Sequence, residues 1–371
     1  MKNNKIENPP LKALIVSKED ENTDNLFVPI LRDAIKAKGI DVESSTDKFW
    51  NSETKYDIIH FQWPEEVIGW TCNDLNMIQR LEERIVFFRS NGAHFIYTRH
   101  NIHPHYVNQI ISRAYDIIEK QSDVVIHMGN YSFEEFKAKY PESKNVIILH
   151  HIYQDTYNED IPQEVARSYL HLSQKAFIVT AFGKFRNSAE RKMVIEAFYK
   201  WKKKNKLLLA PRLYPFSKLN NYSGQLLKLW LSRLGYYLFM PIFNKLFRIC
   251  AGANDELIDN KDLPYYLAAS DVIFIQRKDI LNSGNVPLAF LFRKVVVGPN
   301  IGNIYELLHN TGNPTFDPND KLSIVRALQE AEIKAALGQG KSNLSYALEH
   351  MSTDVVGKEY AQIYKNLANG K

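Results

Sequence analysis

The sequence predicts an α/β chain built as two Rossmann-like, doubly wound domains facing a cleft. Three observations carry this. Short apolar, often β-branched runs alternate with stretches of helical periodicity through residues 11–149, the pattern of parallel strands joined by crossover helices. The same alternation starts afresh at residue 176 and continues past residue 297. At 371 residues the chain is long enough for two domains of ordinary size.

Taken in order, residues 11–17 form a buried strand, and 27–37 a helix with apolar positions at Phe27, Ile30, Leu31, Ala34 and Ile35, stopped by Gly39. Strands are expected at 41–44 (weakly patterned), 56–61, 94–98, 123–127 and 145–149. Helices are expected at 74–90, 106–120 and 132–140, the last capped by Ser132 with Glu135 three residues on. The seam falls near Pro162 to Gln174. Beyond it come a strand at 176–183 running into a loop, a helix at 188–203, a strand at 206–210, a helix at 263–270 and a strand at 271–275. This divides the chain into domains at 1–170 and 171–350, the second with a basic, apolar insertion at 218–250, followed by a final helix in 351–371. There is no tandem repeat or low-complexity segment.

Residues 282–306 organise the second half. Ser283 and Gly284 supply a hydroxyl and a conformationally permissive residue. Pro287 suits a first helical turn, Val295, Val296 and Val297 a fully buried strand, and Gly298 and Pro299 end it before a further loop. A glycine-bearing loop that opens a helix aims N–H groups at one spot and favours an anion. Glu306, after the strand, can accept from a ribose hydroxyl.

Bulk composition is that of a globular protein, with 45% hydrophobic and 24% charged residues. Two cysteines, Cys72 and Cys250, exclude a disulfide framework and a cysteine zinc site and fit a reducing compartment. No apolar run precedes Pro9, so no signal peptide is expected. The net charge of +5 hides an uneven distribution. Between Lys200 and Cys250 there are eleven Lys and Arg and no Asp or Glu, which leaves −6 over the rest of the chain. Within that stretch Leu226, Leu227, Trp230, Leu231, Leu234, Tyr237 and Leu238 share one helical arc, with Lys228 and Ser232 facing away. No run approaches the ~20 apolar residues of a membrane span. Aromatic residues with flanking cations suit a helix lying in a lipid interface, and an inserted helix covering the core accounts for the arc but not for the missing acids. The expectation is a cytoplasmic protein, peripheral on the inner face of the cell membrane through residues 200–250.

The block at 282–306 resembles the donor-binding segment of GT-B glycosyltransferases, in particular the retaining, family 4-like group. Ser283, Gly284, Ala289, Val296, Gly302 and Glu306 fit that pattern. Arg293 stands where the group has Gly, and the group's paired glutamates are replaced by Ile280 and Leu288. The segments 60–65 and 98–105 resemble the family's acceptor-side motifs, and the last helix resembles its tail helix crossing back to the first domain. The resemblance implies a metal-independent hexosyltransferase of polysaccharide or glycolipid assembly. It would move a sugar from a UDP- or GDP-linked donor to a glycan or lipid-linked acceptor, with no cofactor and no nucleic-acid partner. It places His100 beside the transferred sugar as the catalytic imidazole, with His60, Trp63, Asn101 and His105 on the acceptor side. For the donor it implies Arg186, Lys192, Ser283, Gly284, Asn285 and Glu306, and just past the strand at 271–275 it supports a polar residue without fixing which, where Arg277 can reach a phosphate and Asp279 a sugar hydroxyl. Arg191 competes with Lys192, and Lys278 with Arg277, for the phosphates. No metal ligands are expected, since His150 and His151 have no carboxylate at ligand spacing. Two other readings share the fold: a nucleotide-sugar epimerase, and an inactive sugar-nucleotide-binding partner of a transferase.

Overall fold

A computed structural model describes residues 11–18, 25–105, 108–214, 226–252 and 257–370. It divides into two compact units, Met1–His151 with Glu349–Lys371, and Ile152–Leu348.

The first unit runs β1 (Lys12–Val16), α1 (Phe27–Lys36), β2 (Asp41–Ser44), α2 (Thr46–Asn51), β3 (Ile58–Phe61), α3 (Pro64–Ile68), α4 (Asn76–Ser90), β4 (His94–Thr98), α5 (Gln109–Gln121), β5 (Val124–His127), α6 (Asn130–Lys139) and β6 (Asn145–Ile147). All six strands are parallel, in the order β2-β1-β3-β4-β5-β6. Side chains alternate across the pleat. Leu14, Val16, Ile59, Phe61 and Phe95 therefore face α4 and α5 through Leu81, Ile85, Phe88 and Ile118. Ala13, Ile15, Ile58, Ile96 and Ile126 face the opposite layer, which contains Leu31 and Ile35 of α1. Two short helices, α2 and α3, stand where none was expected, the second starting on Pro64. Helix α6 begins at Asn130 rather than Ser132. Ser132 is fully buried and its hydroxyl donates back to the carbonyl of Gly129 (3.1 Å), so it cannot cap, and Glu135 pairs instead with Arg99.

The second unit runs α7 (Gln163–Tyr169), β7 (Phe177–Thr180), α8 (Ser188–Lys200), β8 (Lys206–Ala210), α9 (Leu226–Phe247), β9 (Ile249–Ala251), α10 (Leu263–Ala269), β10 (Val272–Phe274), α11 (Asn285–Leu291), β11 (Val295–Pro299), α12 (Gly302–Asn310), β12 (Thr315–Phe316), α13 (Lys321–Ala336) and α14 (Gln339–His350). Its six strands are again parallel, in the order β12-β11-β10-β7-β8-β9. Val179, Val272, Phe274, Val295 and Val297 pack against Met193, Phe198, Ile324 and Leu328 of the covering helices. Residues 152–170, expected at the end of the first domain, belong here. Buried Arg167 of α7 donates to Ala269 O (3.0 Å) and pairs with Asp271 (2.8 Å), which also accepts from the N–H of Ile178.

Other details of this unit depart from expectation. Strand β9 was not foreseen, because its three residues follow directly on an apolar helix. The part of the 218–250 insertion before Leu226 lies outside the described residues. The stretch after β11 is helix α12 rather than a loop, seated so tightly that a Cβ on Gly298 would come within 2.5 Å of Leu308 Cδ1. Gly284 has φ −60°, which any residue adopts, so its backbone freedom is not used. Arg293 has φ +57°, the left-handed geometry that explains why Gly suits that place.

The last helix, α15 (Thr353–Ala368), joins the first unit. A Cβ on Gly357 would lie 2.5 Å from Ala34 O, so α1 and α15 touch backbone to backbone, and Tyr360 and Tyr364 are buried in the same layer.

Candidate functional site

In an open parallel sheet, ligands bind beyond the carboxyl ends of the strands, where the strand order reverses. The first sheet reverses between β1 and β3, and the second between β7 and β10. Each unit carries a polar group built on the strand ends around that reversal.

In the first unit the group centres on His100, two residues past β4. Its imidazole stacks on the indole of Trp63 (centroids 3.9 Å apart, planes at 17°) and takes the edge of Phe27 (4.9 Å). Only 8% exposed, it lies 2.8 Å through Nε2 from the Oε1 of Gln62. The amide nitrogen of Gln62 lies 3.0 Å from His60 Nε2, which also meets Thr98 Oγ1 at 2.8 Å. His60 Nδ1 meets the hydroxyl of Tyr364 at 2.6 Å. The result is a buried polar chain from α15 to His100. Burial and the neighbouring imidazoles hold the His100 pKa well below its ordinary value, and burial alone pushes His60 down to about 3. Both rings are therefore neutral at pH 7.

This corrects the expectation for His60. It was placed on the acceptor side, but it is fully buried and cannot touch a substrate. Trp63 is half-buried beneath His100. Asn101 and His105 form a separate pair. His105 Nδ1 lies 3.3 Å from the Asn101 amide and 2.8 Å from Glu65, whose other oxygen accepts from the hydroxyl of buried Tyr115. His150 and His151 close on backbone carbonyls, of His151 and Phe27 respectively.

In the second unit the loop after β7 meets the loop after β10. The amide of buried Gln276 donates to the carbonyl of Gly183. A Cβ on Gly183 would come 2.9 Å from that amide nitrogen and 3.1 Å from the amide nitrogen of Asn285, so glycine is what lets the three converge. Glu190, 2% exposed in the first turn of α8, accepts from the backbone N–H of Arg186 (2.7 Å) and from the guanidinium of Arg277 (3.1 Å). Arg277 also donates to Lys184 O. Desolvation lowers the Arg277 pKa to about 10, so it keeps its charge at pH 7. Arg186 is exposed and donates to the carbonyl of exposed Asp279 (3.2 Å).

The Ser283–Gly284 loop is fixed from behind by α12. Asn303 donates to Leu281 O through its backbone (3.0 Å) and to Asn282 Oδ1 through its side chain (2.8 Å). Gly302, at φ +58°, passes so close to Ile280 O that a Cβ would sit 2.5 Å from it. Ser283 Oγ accepts weakly from the N–H of Asn285 (3.4 Å). Glu306 is half-buried one turn further along α12. Lys192 is not part of this group. Its side chain is 71% exposed and faces Glu196 at 3.8 Å, while Arg191 is half-buried with its guanidinium over the ring of Tyr214. Among the described residues no three His, Cys, Asp or Glu gather as a metal site would require.

Sequence reasoning missed Gln62, Gln276 and Asn303 as members of these groups, and the role of Glu190. Gln62 follows His60 by two residues on extended chain, so both point the same way, and that period was the available signal. Glu190 is legible as the third residue of a helix whose N-cap, Asn187, accepts from its N–H. Asn303 had no signal while α12 was read as a loop.

No protein-family model matches the chain, and no curated protein matches it. Among solved structures, 98% of the chain is similar to the whole of sucrose-phosphate synthase from Thermosynechococcus elongatus, with 15% identity and a TM-score of 0.69. HepE from Anabaena in complex with UDP is matched over its full length by 96% of the chain (12% identity, TM-score 0.67). The catalytic domain of starch synthase IV from Arabidopsis thaliana, bound to ADP and acarbose, is likewise matched in full by 98% of the chain (11% identity, TM-score 0.62). At these identities the likeness shows the fold, the two Rossmann-like units of GT-B glycosyltransferases.

Proposed function

We propose that this chain is a metal-independent glycosyltransferase that moves a sugar from a UDP- or GDP-linked donor to a hydroxyl of a glycan or lipid-linked acceptor, in polysaccharide or glycolipid assembly at the cytoplasmic face of a membrane. The observation that carries it is the cluster at the strand-order reversal of the second sheet, where Gly183, Arg186, Arg277 and Asn285 are gathered around Glu190 and Gln276. A glycine loop lets a diphosphate approach the backbone, and two guanidinium groups neutralise it as it leaves. Helix α11 has only seven residues, so its dipole contributes little and the arginines supply most of the field. The fold's relatives support the donor class: HepE has been solved with UDP and with UDP-glucose.

In this reading His100, a neutral imidazole stacked on Trp63, hydrogen-bonds a hydroxyl of the sugar being transferred. Glu306 accepts from the ribose. Calorimetric titration with UDP- and GDP-sugars, followed by a turnover assay with and without acceptor, tests the proposal. Sugar transfer to an acceptor supports it. Epimerisation without an acceptor would give the epimerase reading. Tight binding without turnover would give the inactive-partner reading, which the Ile280 and Leu288 replacements permit.

A further inference from the structure

Helix α9 presents apolar surface on the side that its own unit does not use. Tyr236, Met240 and Phe243 follow one another at helical i, i+4, i+7 spacing and form the inward stripe: Met240 is 4% exposed and Phe243 packs on the core. The outward face carries Leu234, Leu238 and Ile242, flanked by Trp230 and Tyr237 on one side and Leu246 on the other. Trp230, Tyr237 and Ile242 are each about 60% exposed, and Leu246 is 71% exposed. A helix that only covered a core would have one apolar stripe; this helix has two.

The charges on the segment itself have one sign, and of the described lysines just before it only Lys203 pairs with an acid, Glu332 of α13. Arg233, Lys245 and Arg248 are exposed, and Arg248 reaches the carbonyl of Lys204, which brings the helix end to the exposed lysines at 202 and 204. The whole stretch from Lys200 to Cys250 has no acidic residue. A second copy of the chain meeting this face through a two-fold axis would set like cations against each other. An anionic lipid surface answers both properties, taking the apolar side chains below the headgroups and the cations at their level. Tyr and Trp are suited to that boundary, and Lys245 can lie along the apolar face and lift its ammonium to the phosphates. No helix among the described residues is long and apolar enough to cross a membrane.

We propose that α9 is an interfacial docking helix that seats the second unit flat on an anionic membrane. It deepens the membrane element of the proposed function, and vesicle binding requires no turnover, so the two stand or fall separately.

The experiment is co-sedimentation of the full chain with phosphatidylcholine vesicles, with and without phosphatidylglycerol. Binding is expected only when phosphatidylglycerol is present, and high salt should weaken it severalfold. Each cation at such a surface strengthens binding about fivefold, so replacing Arg233, Lys245 and Arg248 together by Gln should reduce affinity by about a hundredfold. A second variant, Leu238→Ser with Ile242→Ser, keeps every charge and should also release the protein, with an unchanged thermal melt showing that it folds. Equal recovery in the supernatant with and without anionic vesicles would overturn the proposal. So would a concentration-dependent dimer that the Ser variant dissociates, which would make the face a contact between copies.

Discussion

The Nε2 of His100 lies 2.8 Å from the Oε1 of Gln62, and the nitrogen of that same amide lies 3.0 Å from His60. A carboxamide oxygen only accepts, so His100 must donate from Nε2, and its Nδ1 becomes the basic nitrogen. The tautomer of the proposed catalytic histidine is thereby set by fully buried Gln62. His100→Ala should lower kcat about tenfold, the order expected for one lost hydrogen bond to the transferred sugar, while leaving nucleotide affinity within about twofold. Gln62→Leu should lower kcat by a smaller factor and shift the His100 ring nitrogens in a ¹⁵N spectrum, whereas Gln62→Glu, which keeps an acceptor, should preserve the Nε2–H form. Wild-type turnover in His100→Ala would reduce the ring to a packing element.

Stability should depend on pH through the buried histidines. Burial pushes His60 and His150 down to about 3 and His127 to about 4, and His100 is also well depressed. The folded state therefore stays unprotonated while the unfolded chain takes up protons near pH 6.5, and stability present above that pH is lost as pH falls toward the folded values. Each such group costs up to about 2 kcal/mol at pH 5. Thermal melts from pH 7.5 to pH 5 should fall steeply, and His60→Gln should flatten the slope while lowering Tm at pH 7.5. A flat profile over that range would show that these rings ionise in the folded protein.

Donor affinity should rest on Arg186. A guanidinium fork lost from a charged oxygen costs roughly 1.5–3 kcal/mol, so Arg186→Ala should weaken nucleotide-sugar binding about tenfold to a hundredfold in calorimetry. Lys192→Ala should leave it unchanged, since that side chain is 71% exposed and turned to Glu196. Unchanged affinity in Arg186→Ala would remove the cluster from the donor site.

Glu190 holds the same cluster from beneath. It is 2% exposed, and its carboxylate binds both the Arg186 N–H and the Arg277 guanidinium. Breaking one side of a buried ion pair leaves an uncompensated charge and costs about 3–5 kcal/mol. Glu190→Ala should lower Tm by several degrees and weaken donor binding together, and an unaltered melt would mean that solvent already screens the pair.

Much of this architecture was legible because parallel strands buried on both faces are written as apolar runs. Val295 to Val297 and Ile58 to Phe61 are examples, and both are strands at those places. The short helices α2, α3 and α12 were not legible, since five to nine residues offer too little periodicity to separate helix from loop. Among candidate site residues, sequence could name chemistry but not exposure. His60 and His100 look alike as histidines after strands, yet one is sealed under Tyr364 and the other stacks on half-buried Trp63. Arg191 and Lys192 are adjacent cations, and only the rotation of α8 decides which turns inward.

Turnover should not require a divalent metal. The leaving diphosphate needs positive charge where it departs, and two guanidinium groups at the second strand-order reversal can supply it. Arg277 remains charged even with its pKa lowered to about 10, and Arg186 is exposed beside it. The buried carboxylate of the cluster, Glu190, is already engaged with Arg277 and cannot also bind a cation without releasing that pair. Activity measured after exhaustive EDTA treatment should therefore match the untreated enzyme, and added Mg²⁺ or Mn²⁺ should change kcat by no more than about twofold, well short of the several kcal/mol a catalytic metal contributes. Loss of activity in EDTA with recovery on Mn²⁺ would mean that the arginines do not neutralise the leaving group by themselves.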